Sequence, residues 1–217
     1  MHRFRARPYA AALVALTLAA TTASCTGSDE PESTPEPTPS SSAPAESPSA
    51  AEEPAPQSVA PRTRVTRVSG RLKPKDREVL ADNVGKVVNA YFEDAFTGGE
   101  YPRSSFGDAF ATFSDGAARQ ADHERDLLTN RELGPTTEGI VVRRQTTYLS
   151  VLAPYKVAAG VSATVHLRFV ADRGDKPAKR VDVKGRLLLT RKEKSGGWKI
   201  FGYDLTQDAR PAGKGGA

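Results

Sequence analysis

Residues 161–169 read VSATVHLRF, and this stretch indicates the fold class more clearly than any other. Apolar side chains occupy every second position from Val161 to Phe169, and polar side chains stand between them. A period of two is typical of a β-strand with one buried face and one solvent-facing side. The pattern predicts a strand over residues 155–171, with His166 on its solvent-facing side.

The chain on either side of this stretch shows the same period. Strands are predicted over residues 140–152, 181–194 and 198–205. Turn-forming sequences separate the strands, at Ala153-Pro154, Arg173-Gly174-Asp175 and Ser195-Gly196-Gly197. Because short turns join antiparallel strands, the pattern predicts an antiparallel sheet of about four long strands.

Upstream of residue 134 the apolar spacing changes to three and four, which predicts helices. The first helix is predicted over residues 75–96, with Pro74 in its first turn and Gly98-Gly99 at its end. A second is predicted over 105–113, and a third over 114–128 with Ser114 as its N-cap. Helices followed by consecutive strands indicate the α+β class, with N-terminal helices packed on one face of the sheet.

Two segments carry a resemblance to a known superfamily. VVNAYFEDAF at residues 87–96, followed by Gly98-Gly99 and Tyr101, and GGWKIFGYDL at residues 196–205 resemble the NTF2-like (SnoaL/cystatin-like) superfamily. The resemblance covers residues 75–206 and implies a cone of helices in a curved antiparallel sheet, within a domain at 75–208. Its members include isomerases, dehydratases, ligand binders and interaction modules, so the fold alone does not choose a function.

The N-terminus predicts export. Residues 1–24 combine Arg3, Arg5 and Arg7 with an apolar stretch at 10–20 that is too short to span a membrane. Thr22-Ala23-Ser24-Cys25 resembles the lipobox of bacterial lipoproteins, although Thr22 replaces the usual leucine or valine. The resemblance implies a diacylglyceryl group on Cys25 and anchoring on the extracytoplasmic face of the cell membrane. The alternative is ordinary cleavage after Ala23, which releases a soluble protein with a free thiol.

Three further segments differ in composition from the domain. Residues 25–61 are rich in Pro, Ser and Glu, and they hold seven acidic residues but no Lys or Arg, which predicts a disordered tether. Residues 62–74 form a basic lead-in, and residues 209–217 a flexible Gly- and Ala-rich tail. The tether would space the domain from the membrane.

The charge distribution indicates which class of partner the domain would bind. From Arg62 onward the chain has 28 Lys and Arg against 19 Asp and Glu, a net charge of +9. Such an excess favours anionic lipid or a cell-wall polymer as the partner. The alternative is that the charge only maintains solubility, in a chain encoded by a GC-rich genome. Nucleic acid is not expected, because aromatic residues are not interleaved with the basic ones.

Candidate site residues are few. No metal or cofactor is expected, because the domain has no cysteine and only two histidines, His123 and His166, and lacks nucleotide-binding fingerprints. His123 lies in a charged stretch and is expected on a helix surface. His166 is either a general base or ligand contact, or an ordinary histidine on a solvent-facing strand.

Four further residues complete the candidate pocket. Asp204 is either a carboxylate in the cavity or a surface acid paired with a cation. Tyr91 and Tyr101 either line the mouth of the cavity or pack in the core. Trp198 is expected to anchor the sheet to the helices, at the edge of the same pocket.

These observations favour a lipid-anchored accessory or binding module that engages an envelope component or a protein partner without catalysis. The alternative is a small SnoaL-like isomerase, dehydratase or hydrolase that uses the cone as its pocket. In that case His166 or Asp204 would serve as the base.

Overall fold

The computed structural model describes residues 57–191 and 196–213. Within them a single sheet of five strands runs in the order β1-β2-β3-β4-β5. The strands are β1 (Arg62–Gly70), β2 (Gly139–Ala153), β3 (Gly160–Arg173), β4 (Lys176–Arg191) and β5 (Trp198–Pro211). The pairs β2–β3, β3–β4 and β4–β5 are antiparallel, and the pair β1–β2 is parallel. The α+β class is therefore confirmed, with a mixed sheet of five strands.

The four strands predicted from the period of two are all present, with shifted ends. β3 begins at Gly160 because residues 154–157 form the turn that joins it to β2. β4 begins earlier than predicted, at Lys176. β5 continues to Pro211, so the predicted tail at 209–217 begins inside a strand.

The prediction of about four antiparallel strands was wrong, because the basic lead-in at 62–74 contains β1. Arg62 and Arg64 face solvent on this strand, while Thr63 and Val65 are half-buried. A β-bulge between Val65 and Arg67 interrupts the period of two, so that the half-buried Val65 and Val68 are three residues apart. Parallel pairing of β1 with β2 requires a long crossover, and the helices supply it.

The first helix follows its prediction closely. α1 (Pro74–Phe92) begins at a proline and continues into a π-helical turn at Glu93–Thr97, and Gly98 follows that turn. The third predicted helix is divided into α2 (Asp115–His123) and α3 (Arg125–Leu128), and Ser114 is the N-cap of α2. A short 3-10 turn at Gly134–Thr136 leads into β2.

The helix predicted at 105–113 is absent, because this segment bonds to the sheet. Phe113 forms a parallel bridge with Ile200 of β5, and the Ile200 amide donates to the carbonyl of Thr112 (3.1 Å). Residues 107–112 form turns instead. The apolar residues whose spacing suggested a helix pack in the core instead, and they are Phe106, Phe110 and Phe113.

The core fills the space between α1 and the inner face of the sheet, which is the face toward the helices. Tyr91, Phe92 and Phe96 pack among one another, and Phe96 also contacts Phe169 of β3. All four rings have no solvent exposure. Side chains from α1, the π-helical turn and the sheet therefore fill the space between the helix and the sheet.

Gly185 of β4 allows an unusual backbone at the middle of the sheet. Its φ is +142°, and an added Cβ would lie 2.0 Å from the backbone oxygen of Asp204 on β5. An L-residue adopts this φ at a cost of about 1–3 kcal/mol, before any clash is counted. Gly185 therefore fixes the path of β4 between Lys184 and Arg186.

We expect Gly185→Ala to lower the Tm of the domain by about 4–8 °C, which corresponds to a loss of about 2 kcal/mol in the free energy of unfolding. Thermal unfolding followed by circular dichroism measures the change. The control is Gly107→Ala, because an added Cβ at Gly107 meets nothing within 4 Å. Equal Tm values for the two variants would contradict the strain at Gly185.

Candidate functional site

An open groove crosses the outer face of the sheet, which is the face opposite the helices. Its volume is about 720 Å³, and it lies over β1 to β4. Five basic side chains line this cationic groove together with His166, and they are Arg62, Arg143, Arg144, Lys184 and Arg186. No carboxylate is among the described residues that line it.

The pairing of the strands brings these side chains together. Thr146, His166 and Lys184 lie opposite one another on β2, β3 and β4, and Arg62 of β1 adjoins Thr146. The next outward row places Tyr148 beside Thr164 and Arg186. Since like charges repel, cations held this closely favour an anion between them.

The chain that precedes β1 forms one wall of the groove. The Val59 amide donates to the carbonyl of Val142 (2.9 Å), and the Val142 amide donates to the Ser58 hydroxyl (3.0 Å). Val59 and Ala60 both line the groove. Pairing between β2 and β3 is interrupted by a bulge between Val142 and Arg144 at this end.

Asp182 is the acid that the basic side chains of the outer face share. One of its oxygens lies 2.9 Å from Nε2 of His166 and accepts from Nε of Arg168 at 2.8 Å. Nε of Arg180 (3.6 Å) and Nζ of Lys184 (3.7 Å) complete the cluster. The Asp182 side chain is only 12% exposed.

This cluster keeps Asp182 ionised. Burial acts to raise the pKa of the carboxyl, but hydrogen bonds from His166 and Arg168 and the charges of Arg168 and Lys184 outweigh it. The net effect lowers the pKa of Asp182 to about 2. Its negative charge therefore offsets part of the repulsion beside the cationic groove at neutral pH.

His166 has partners at both ring nitrogens. Nε2 faces Asp182 at 2.9 Å, and Nη1 of Arg144 lies 3.4 Å from Nδ1. In the neutral tautomer that suits both contacts, Nε2 carries the proton and Nδ1 accepts from Arg144. A general base needs one nitrogen directed at its substrate, so this arrangement favours a binding role.

Asp204 is not a buried carboxylate of a cavity. It lies on the outer face of β5, its side chain is 71% exposed, and Arg186 donates to it at 3.0 Å. The interpretation as a surface acid paired with a cation is the one that the structure supports. Leu205 points into the core while Asp204 points away from it, because adjacent residues on a strand face opposite sides.

The other predicted pocket residues lie apart from His166. Tyr91 is fully buried, its hydroxyl donates to the carbonyl of Leu128 (3.0 Å), and burial raises its pKa. Tyr101 donates to the carbonyl of Phe96 (2.6 Å), and partial burial raises its pKa. Trp198 is 5% exposed in the core, with Arg191 over its ring. The structure does not gather the five residues into one pocket.

Two further expectations concern other parts of the chain. His123 is exposed at the end of α2, as predicted. Cys25 and the signal segment 1–24 lie outside the described residues. In the part that the structure describes, no helix is long and apolar enough to span a membrane, and no group of three potential metal ligands occurs.

Comparisons with protein-family models, curated proteins and solved structures give no match for this chain. Its site is therefore interpreted from its own residues.

Sequence reasoning found His166 but missed its surroundings. Arg144 lies on β2, and Asp182 and Lys184 lie on β4, on either side of His166 in β3, and no local motif connects β2 with β4. The available signal was the period of two itself, because Arg180, Asp182, Lys184 and Arg186 all occupy outward positions of β4.

We expect Asp182→Asn to reduce the free energy of unfolding at pH 7 by about 2 kcal/mol. Asp182 has a lowered pKa, so its stabilisation is fully present above its unfolded value of 3.8 and is lost as the pH falls toward about 2. The wild type should thus lose more stability between pH 4 and pH 2 than the variant. Urea unfolding at a series of pH values measures this difference.

Asp204→Asn is the matched control, since its carboxylate is exposed on the neighbouring strand. We expect this variant to follow the wild type over the acidic range. If Asp182→Asn also followed the wild type, the ion cluster would contribute no stability.

Proposed function

We propose that this chain is a membrane-anchored, extracytoplasmic binding lipoprotein whose domain engages an anionic component of the cell envelope without catalysis. The observation that carries the proposal is the cationic groove, where Arg62, Arg144, Lys184 and Arg186 converge around His166 with no carboxylate among the described lining residues. An anion bound there would replace repulsion between cations by attraction.

The N-terminal sequence supports the location. Residues 1–24 have the plan of a signal peptide, and Thr22-Ala23-Ser24-Cys25 resembles a lipobox. A diacylglyceryl group on Cys25 would provide two chains, which is what stable anchoring needs. The acidic segment at 26–61 would then separate the domain from the lipid surface.

We assign the domain to an NTF2-like cone whose interior is filled. An N-terminal helix against a sheet of consecutive long strands supports this assignment. Phe92, Phe96 and Phe169 pack together in the space between the helix and the sheet and have no solvent exposure. A filled interior directs binding to the outer face of the sheet.

The geometry of the groove favours phosphate-bearing partners over neutral ones. Anionic lipid headgroups and cell-wall phosphate polymers both offer such groups outside the membrane. Arginine presents several donors in a planar fork that matches phosphate oxygens, and Arg62, Arg144 and Arg186 are all exposed to solvent at the groove.

The test is binding of a short inorganic polyphosphate to the full chain, measured by isothermal titration calorimetry at several salt concentrations. Lys184→Gln combined with Arg186→Gln should weaken binding by about tenfold or more, since each cation near an anionic surface contributes about 1 kcal/mol. Affinity should also fall as salt rises.

Lys86→Gln combined with Arg119→Gln is the matched control. These two cations are exposed on α1 and α2, away from the groove, and the substitutions remove the same charge. Equal weakening in both double variants would mean that net charge, and not the groove, governs binding. Binding that does not respond to salt would overturn the proposal.

A catalytic function is the second candidate, because the pairing of His166 with Asp182 in a groove is an arrangement that also activates general bases. The proposed binding role predicts that Asp204→Ala complements a deletion strain fully, and that His166→Ala loses complementation only as far as it loses polyphosphate binding. Loss of complementation by a folded His166→Ala protein that still binds polyphosphate would favour catalysis instead.

A further inference from the structure

A second cavity lies beside the cationic groove on the same face of the sheet. This apolar cavity has a volume of about 260 Å³. Its outward-facing lining residues include Ser150, Leu152, Ser162, Leu188 and Phe201. Ser150 follows Tyr148 on β2, Ser162 precedes Thr164 on β3, and Leu188 follows Arg186 on β4, each by one outward position. The two cavities therefore lie end to end along three strands.

The side chains around the second cavity are unusually apolar for a solvent-facing surface. Leu152 is 55% exposed, Phe201 is 49% exposed and Leu188 is 36% exposed. A solvent-facing strand surface normally carries polar side chains, and a cluster of exposed apolar ones marks a binding surface. Ser150 and Ser162 lie opposite each other on β2 and β3, and their small side chains line the cavity together with the larger apolar ones.

The two cavities differ in the chemistry that they accept. Lys184 and Arg186, whose side chains are 53% and 63% exposed, present charge at one end. Leu152, Leu188 and Phe201 present hydrocarbon at the other. His166 and Ser162 are four residues apart on β3, which corresponds to about 13 Å of extended strand. A molecule that satisfied both ends would be charged at its head and apolar along its length.

We propose that the outer face of the sheet binds one anionic amphiphile, with a phosphate head in the cationic groove and a hydrocarbon chain in the apolar cavity beside Leu152, Leu188 and Phe201. The inference rests on the proposed function and specifies its ligand class as a single lipid-like phosphate. The hydrocarbon chain of the ligand lies across Ser150 and Ser162 and extends toward the turn between β2 and β3.

The experiment compares methyl, butyl, octyl and dodecyl phosphate, each below its micelle concentration, by isothermal titration calorimetry. The protein is the full chain with Cys25→Ser, so that no attached acyl group competes. We expect dodecyl phosphate to bind about tenfold or more tightly than methyl phosphate, because each buried methylene adds favourable transfer free energy. Dodecanol, which lacks the charge, should bind more weakly than dodecyl phosphate.

Two double variants distinguish the contribution of the phosphate head to affinity from that of the hydrocarbon chain. Leu152→Ser with Leu188→Ser should remove the dependence of affinity on the length of the hydrocarbon chain. Lys184→Gln with Arg186→Gln should weaken all four phosphates. The control is Leu127→Ser, which removes a leucine of similar exposure (37%) from α3. Circular dichroism establishes that each variant is folded.

The outcomes distinguish the two proposals. Phosphate affinity that does not depend on chain length would overturn the amphiphile and leave the anion-binding function standing. If neither these phosphates nor phosphatidylglycerol vesicles bound the wild type, the proposed function would fall as well. Binding to phosphatidylglycerol vesicles without any binding of monomeric octyl phosphate would point to a bilayer surface, and would overturn a site for one molecule.

Discussion

The register of β3 is the constraint on which the rest of the domain depends. Val165 and Leu167 enter the core, while Thr164, His166 and Arg168 face outward. A shift of one residue would place His166 and Arg168 among the buried phenylalanines and expose the leucines. Because β2 and β4 flank β3 with matching alternation, the same register fixes both the apolar core and the cationic groove.

This arrangement concentrates positive charge on the outer face of the sheet. Asp182 reduces the electrostatic repulsion among these cations. Two cations at about 4 Å repel each other by about 4 kcal/mol near a protein surface. A carboxylate among these cations offsets part of the repulsion through a hydrogen bond from Arg168 and ion pairs with Arg180 and Lys184. Lys184 and Arg186 remain largely exposed at the groove. The outer face therefore combines two acids that pair with its cations, Asp182 and Asp204, with positive side chains that remain exposed to solvent.

The sequence predicted those parts of the structure whose pattern is local. α1 was recognisable because its apolar residues repeat every three and four positions from a proline start, and β3 because its alternation is regular. The prediction of a helix at 105–113 was wrong, because apolar spacing cannot show that the Thr112 carbonyl accepts a hydrogen bond from Ile200, far along the chain. β1 was missed because a bulge between Val65 and Arg67 breaks its alternation. The groove combines residues from separate strands, so only the pairing of the strands could assemble it.

The position of β1 has a mechanical consequence. Within the described residues β1 is an edge strand that pairs with β2 alone, in parallel, and it begins at Arg62. Tension transmitted from the N-terminal side would pull β1 along its own axis and load its hydrogen bonds to β2 together, in shear. Bonds that share a load resist rupture far better than bonds opened one after another. A domain attached through this strand would therefore keep its binding face intact when its attachment is stretched.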